Sequence, residues 1–203
     1  MKKTELGLIG LIALGILFKI LHYPGWAIIL IVSVGILSQM YFALGFAIFN
    51  CIGLRDLFKS DSYRSTTVSS IAIGVITGLG LSLTLMGLLF KTMSYPGAYF
   101  MLYPGMATIG LILIIVLIQK QSMGRSKFTT LITRIVPFFI LGAILLCTPR
   151  RTRLSWQYPN NPEYIEALVN ASEHPENSEL QLKVDEEYFK MREQFKKEHS
   201  EKE

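Results

Sequence analysis

The stretch LFKILHYPGW (residues 17–26) sets a lysine, a histidine and a Pro-Gly break inside an apolar run, and 72 residues further on LFKTMSYPGAY (89–99) repeats it. Aligning Phe18 with Phe90 pairs Gly15 with Gly87, Lys19 with Lys91, Tyr23 with Tyr95, Pro24 with Pro96 and Gly25 with Gly97. Each copy then runs into a second apolar segment, so the repeated unit reads as a helical hairpin: span, lysine, tight Tyr-Pro-Gly turn, span. Lysine in the last turn of a span can lay its stem on apolar surface and put its ammonium among headgroups, where the helix dipole also favours a cation. Tyrosine prefers the membrane interface, proline fits the first turn of the following helix, and glycine permits the reversal. Two spans per copy give both copies the same orientation, a parallel repeat rather than an inverted one.

The flanking sequence agrees with a membrane setting. The 203 residues are 51% hydrophobic and only 17% charged, against roughly 25% charged in soluble domains. Through Thr148 there are 11 basic and 3 acidic residues, a net of +8, whereas the remainder has 9 basic and 12 acidic, a net of −3. The division places a membrane domain at 1–148 and a soluble helical tail at 149–203. The basic residues fall at the ends of apolar segments rather than in one patch, which argues against nucleic acid as a partner.

Spanning a bilayer takes roughly 20 apolar residues in a helix. Five segments qualify as candidates: Leu6–Leu21, Trp26–Phe49, Val68–Phe90, Ala98–Ile118 and Leu131–Cys147. The first is short, and the fifth contains Arg134 and Pro137. No acidic residue lies inside any of the five. Lys and Arg counts of 9 on the amino-terminal face against 5 on the other put the amino terminus in the cytoplasm and the tail in the periplasm, by the positive-inside bias. Arg150, Arg151 and Arg153 pull the other way. Gly74 and Gly78 form a small-x-x-x-small pair suited to close helix approach. Pro104 is expected to kink the fourth span, since it removes a backbone donor.

The phrase Phe18, Lys19, His22, Tyr23, Pro24, Gly25 resembles the amino-terminal membrane region of the GldL family, the gliding-motility and type IX secretion subunits of Bacteroidetes, whose pattern is approximately F-K-x-x-H-W-P-G. Tyr23 stands for the tryptophan, and in the second copy (Phe90, Lys91, Tyr95, Pro96, Gly97) Ser94 stands for the histidine. The resemblance covers about 35 residues of each copy and ends by Gln119. It implies a bacterial inner-membrane protein with the turns facing the periplasm, in a multimeric assembly. Family motors carry a glutamate in the second span; the nearest polar residues here are Gln39 and, in the second copy, Thr108. The resemblance therefore implies the hairpin without the engine.

Chemistry-bearing patterns are sparse. His22, His174 and His199 have no metal-site spacing, and there is no phosphate loop, nucleophile elbow or zinc-protease motif. Cys51 and Cys147 read as packed thiols at opposite ends of the spans. No enzyme, metal or cofactor is expected. In the tail, Asn161-Pro162-Glu163 is a helix start. Beyond the His174-Pro175 break, Leu180, Val184, Tyr188, Met191 and Phe195 recur at three and four residues, one apolar stripe on a charged helix. Such a stripe must rest on the other tail helix, on the membrane domain or on another protein.

The expectation is an all-α polytopic membrane helix bundle: two tandem transmembrane hairpins, a fifth span and a small helical carboxy-terminal tail. Its partners are the lipid bilayer and membrane or envelope proteins, further copies of itself included. The expected function is a non-enzymatic structural or assembly component of an envelope complex; the alternative is a membrane sensor or regulator whose tail binds a partner, and a small transporter ranks below both because no charged or unwound midplane site is visible apart from the Pro104 kink.

Overall fold

The computed structural model describes residues 2–21, 23–57, 59, 66–93, 95, 97–121, 124–174 and 176–200, excluding the side chains of residues 54, 156, 157 and 195–200. Every long element among them is an α-helix: α1 Lys2–Ile20, α2 Trp26–Phe49, α3 Val68–Thr92, α4 Ala98–Ile118, α5 Arg125–Cys147, α6 Arg150–Gln157, α7 Pro162–Glu173 and α8 Ser178–Ser200. Four stretches, Trp26–Phe49, Val68–Thr92, Ala98–Gln121 and Arg125–Cys147, are long and apolar enough to cross a membrane. The chain is thus a helical membrane protein. The expected first span is not one of these four, because its helix takes in Lys2, Lys3 and Glu5 at one end and Lys19 at the other. The fifth begins at Arg125 rather than Leu131, since its polar first turns are helical too.

The chain divides into two compact units, Met1–Leu145 and Leu146–Glu203. In the first, α1, α2, α3 and α4 pack in sequence order, each against the next. The α2–α3 contact rests on glycine. A Cβ on Gly45 would stand 2.7 Å from Gly78 Cα, and one on Gly78 would collide with the Tyr41 carbonyl. Both backbones come as close as they do because neither carries a side chain there. Hydroxyls add polar ties: Ser38 Oγ lies 2.8 Å from Ser82 Oγ. Thr77 and Thr84 donate back to the carbonyls of Ile73 and Gly80, at 2.6 and 2.7 Å. Pro104 lies inside α4, which continues through it to Ile118.

The two hairpins close alike. Tyr23 N donates to Phe18 O and Tyr95 N to Phe90 O, both at 2.9 Å, and Leu21 N→Leu17 O is matched by Met93 N→Leu89 O. Gly25 (φ 90°) and Gly97 (φ 80°) occupy the left-handed region immediately before the second helix of each hairpin, where a side chain would be strained. Below the turn the match persists. Gly15 faces Leu30, Gly87 faces Leu102, and both partners are separated by the same 72 residues as the turns.

In the second unit α7 packs on α6 and on α8. Tyr164 near the start of α7 stands 6.1 Å, ring to ring, from Tyr188 well along α8, so the two helices run antiparallel. Leu154 of α6 and Tyr164, Ile165, Ala167 and Ala171 of α7 are buried.

Candidate functional site: a buried carboxylate cluster and a twin-lysine face

At the end of the membrane unit where α1 begins, polar side chains are carried into the interior. Glu5, in the first turns of α1, is only 5% exposed. Arg134 grips it with both arms, Nε to Oε1 and Nη2 to Oε2, each at 2.5 Å. Tyr41 Oη donates to the same Oε1 at 2.6 Å, and Arg134 Nη1 donates to the Thr130 carbonyl at 3.1 Å. A forked guanidinium–carboxylate pair is the strongest charge-assisted geometry available to these side chains. It joins α1 to α5, and Tyr41 adds α2. Aromatic rings shield it: Phe49 and Phe138 lie 6.2 and 6.4 Å from the Tyr41 ring. Tyr41 is 8 residues from the end of α2 and Arg134 is 9 residues into α5. At 1.5 Å per residue both lie roughly 12–14 Å inside their helix ends.

No acid lies inside the five expected spans, and Glu5 stands one residue before the first of them, yet the structure buries it with the bundle. The apolar run begins only at Leu6, whereas the helix α1 begins at Lys2 and turns Glu5 inward. A signal for the pairing did exist. Arg134 in an apolar segment needs a counter-ion, and of the three acids before Thr148 only Glu5 adjoins a span directly.

A second polar chain lies at the α2–α3 end. Lys127 Nζ donates to Ser70 Oγ (3.2 Å), Ser70 Oγ to Asn50 Oδ1 (2.5 Å), and Asn50 Nδ2 to Phe46 O (2.7 Å). Cys51, with φ 60°, has its sulfur 3.8 Å from Ser126 Oγ. Both cysteines are exposed, contrary to the expectation of packed thiols, because each lies just at or beyond the end of an apolar helix.

The other end of the unit carries both lysines of the repeat. Lys19 Nζ donates to the Thr92 carbonyl at 2.6 Å, so the turn of the first hairpin is tied to the end of α3. The same ammonium stands 4.9 Å from the Trp26 ring, and Lys91 Nζ stands 4.2 Å from the Tyr99 ring. These are cation–π distances. The two sites differ in depth: Lys19 is half-buried, whereas Lys91 is 2% exposed. Phe18 and Phe90 are half-buried under Tyr23 and Tyr95, with ring centroids at 5.6 and 5.8 Å. Tyr23, Tyr95, Pro24, Gly25 and Gly97 are exposed. His22 and Pro96 lie outside the described residues.

In the tail, Leu180, Val184 and Met191 are half-buried. Tyr188 sets its ring against Tyr164, and Met191 lines a cleft of about 230 Å³ with Tyr164 and Pro162 of α7. The stripe therefore meets α7 at Tyr188 and Met191. The side chain of Phe195 lies outside the described residues. Tyr188 of the stripe stays 42% exposed, and α8 also leaves open Leu182 and Phe189, 63% and 60% exposed, which lie two helical turns apart and off the expected stripe. Tyr164 is held above the usual tyrosine pKa, first by burial and then by Tyr158, Tyr188 and Asp185. No group of His, Cys, Asp and Glu among the described residues is arranged to hold a metal ion.

No protein family, curated protein or solved structure matches the chain.

Proposed function

We propose that this protein is a non-enzymatic structural or assembly component of an envelope complex in the bacterial inner membrane. The observation that carries the reading is how its buried polar groups are used. Glu5, Tyr41 and Arg134 satisfy one another across three helices, and Ser38–Ser82 and Asn50–Ser70 do the same between α2 and α3. Groups committed to holding helices together are not poised to bind and release a substrate. Polar atoms that meet across helices in an apolar medium favour one arrangement of the bundle.

The likeness of the hairpins to GldL supports the envelope setting with both Tyr-Pro-Gly turns periplasmic, and the Lys and Arg counts of 9 against 5 favour a cytoplasmic amino terminus and a periplasmic tail. Glu5 sits in the first helix, not the second, and is clamped by Arg134. That position supports a fixed role rather than a proton-driven one. A second reading, a regulator whose tail meets a partner, draws on the exposure of Leu182 and Phe189.

Mild-detergent copurification of the tagged chain from its native membranes tests both. A stable complex that survives Leu182→Ser/Phe189→Ser supports the assembly role. Loss of one signalling protein with that variant favours the regulator. Recovery of the chain with no other envelope protein, together with substrate flux into liposomes, would overturn both in favour of transport.

A further inference from the structure

Gln39 occupies an unexpected place. It is exposed, 13 residues from the start of α2 and 10 from its end, or about 20 and 15 Å along the axis. The middle of an apolar helix offers no water, and neither helix end is within reach of a glutamine side chain. Its amide makes no hydrogen bond with any described residue. Hydroxyls elsewhere in the spans return to their own helix, as Ser33 does to Ile29 O (2.5 Å) and Thr108 to Pro104 O (2.8 Å). A glutamine turned outward does not have that recourse here. Left in hydrocarbon, its two donors and its carbonyl go unsatisfied, a costly state.

The surroundings favour another helix over lipid. One turn before Gln39 is Gly35, against which nothing packs within 4 Å of an added Cβ, and one turn after it is exposed Ala43. Small residue, amide and small residue thus fall at i, i+4 and i+8 on one face, flanked by the exposed side chains of Val32, Ile36 and Phe42. Small residues let a second backbone approach closely, and a polar side chain at such a contact supplies the interhelical hydrogen bond. Gly7 and Gly10 of α1 are equally open but have no amide beside them.

We propose that this face of α2 binds the same face of a second copy of the chain, with the two Gln39 amides hydrogen-bonded to each other across a two-fold axis. The occupant follows from the chemistry. A primary amide is both donor and acceptor, so two of them related by a two-fold axis satisfy each other. A two-fold contact is also the one in which a patch meets itself. The proposal does not depend on the functional reading above.

The test uses the purified full chain in liposomes, labelled at Cys147 in a Cys51→Ser background, with energy transfer followed as the protein-to-lipid ratio is varied. Dimerisation is expected for the wild type and for Gln39→Asn. Gln39→Leu and Gly35→Leu should each weaken it about tenfold. In a chain lacking both native cysteines, Ile36→Cys should form a disulfide-linked dimer and Leu79→Cys on α3 should not. A wild-type chain that stays monomeric at every ratio would overturn the proposal and leave the face to lipid or to a different protein. A dimer indifferent to both Gln39→Leu and Gly35→Leu, or one cross-linked through Leu79→Cys alone, would overturn it equally.

Discussion

The two hairpins share a turn and differ in almost everything the turn does not control. Both close with the same pair of hydrogen bonds, both place a left-handed glycine before the second helix, and both set glycine against leucine one layer below. Yet α1 buries only Glu5, Leu8 and Gly15, while α3 is enclosed between α2 and α4 and buries eleven residues, Lys91 among them. Local sequence dictates how a hairpin turns. Position in the bundle dictates what its side chains are for. Lys19 therefore reaches out to the neighbouring hairpin, whereas the same residue 72 positions on is sealed beneath Tyr99.

The difference is broken most forcefully at Glu5, the main polar anchor of an otherwise lightly packed α1. Glu5→Ala leaves the Arg134 guanidinium buried without its carboxylate, a change expected to cost about 3–5 kcal/mol, read as a lower midpoint in detergent unfolding. The double variant Glu5→Leu/Arg134→Leu should recover most of that loss, since an apolar pair of similar volume replaces two charges. Failure of the double variant to recover would mean that the cluster does more than offset its own burial.

The next effect separates the paired glycines. A Cβ on Gly87 would stand 2.7 Å from both the Leu102 Cα and its nitrogen, so backbone must move. Gly87→Ala should destabilise by roughly 1–3 kcal/mol. On Gly15 the nearest atoms belong to the tip of the Leu30 side chain, at 2.8 and 2.9 Å, which can rotate aside. Gly15→Ala should fall below about 1 kcal/mol by the same measurement. Equal losses would show that the hairpins are packed to the same tolerance.

Cysteines placed singly at positions 19 and 91 sharpen the comparison further. Both should react with an impermeant thiol reagent from one side of the membrane only, and position 91 several-fold more slowly because it is sealed. Labelling from opposite sides would dissolve the parallel repeat.

The smallest expected effect lies in the tail. Burial raises the Tyr164 pKa above its ordinary 10.0, which means the fold favours the neutral phenol. That contribution is complete below pH 10 and is lost as pH rises through the higher folded value. The difference in ultraviolet absorbance between the wild type and Tyr164→Phe should therefore develop above pH 10. A phenolate signal appearing at or below pH 10 would mean that Tyr164 is open to water.

How much of this could be read in advance follows the range of each interaction. The turn was legible because Lys, Tyr, Pro and Gly act on the backbone within a few residues. The four long apolar stretches were legible from length and composition, though apolar content alone starts the fifth at Leu131, whereas its helix begins six residues earlier at Arg125. The stripe on α8 was visible as a stripe, but periodicity states that an apolar face exists and not what covers it; α7 meets it at Tyr188 and Met191. The Glu5–Arg134 pair was the least legible. Its members are 129 residues apart, and each has an ordinary local explanation, one as a flanking acid and the other as a stray charge in a weak span.

That separation has a consequence in time. During synthesis at about 5–20 residues per second, Glu5 has emerged long before Arg134 exists, with roughly 6–26 seconds between them. Throughout that interval α1 carries an acid with no counter-ion, which an apolar interior accepts poorly unless it is protonated or held near water. The amino-terminal end of the helix made first is therefore fastened last, after its other end has met α2 and α3. A chain cut short before Arg134 would keep α1 against α2 but leave the Glu5 carboxylate at its amino-terminal end without its guanidinium.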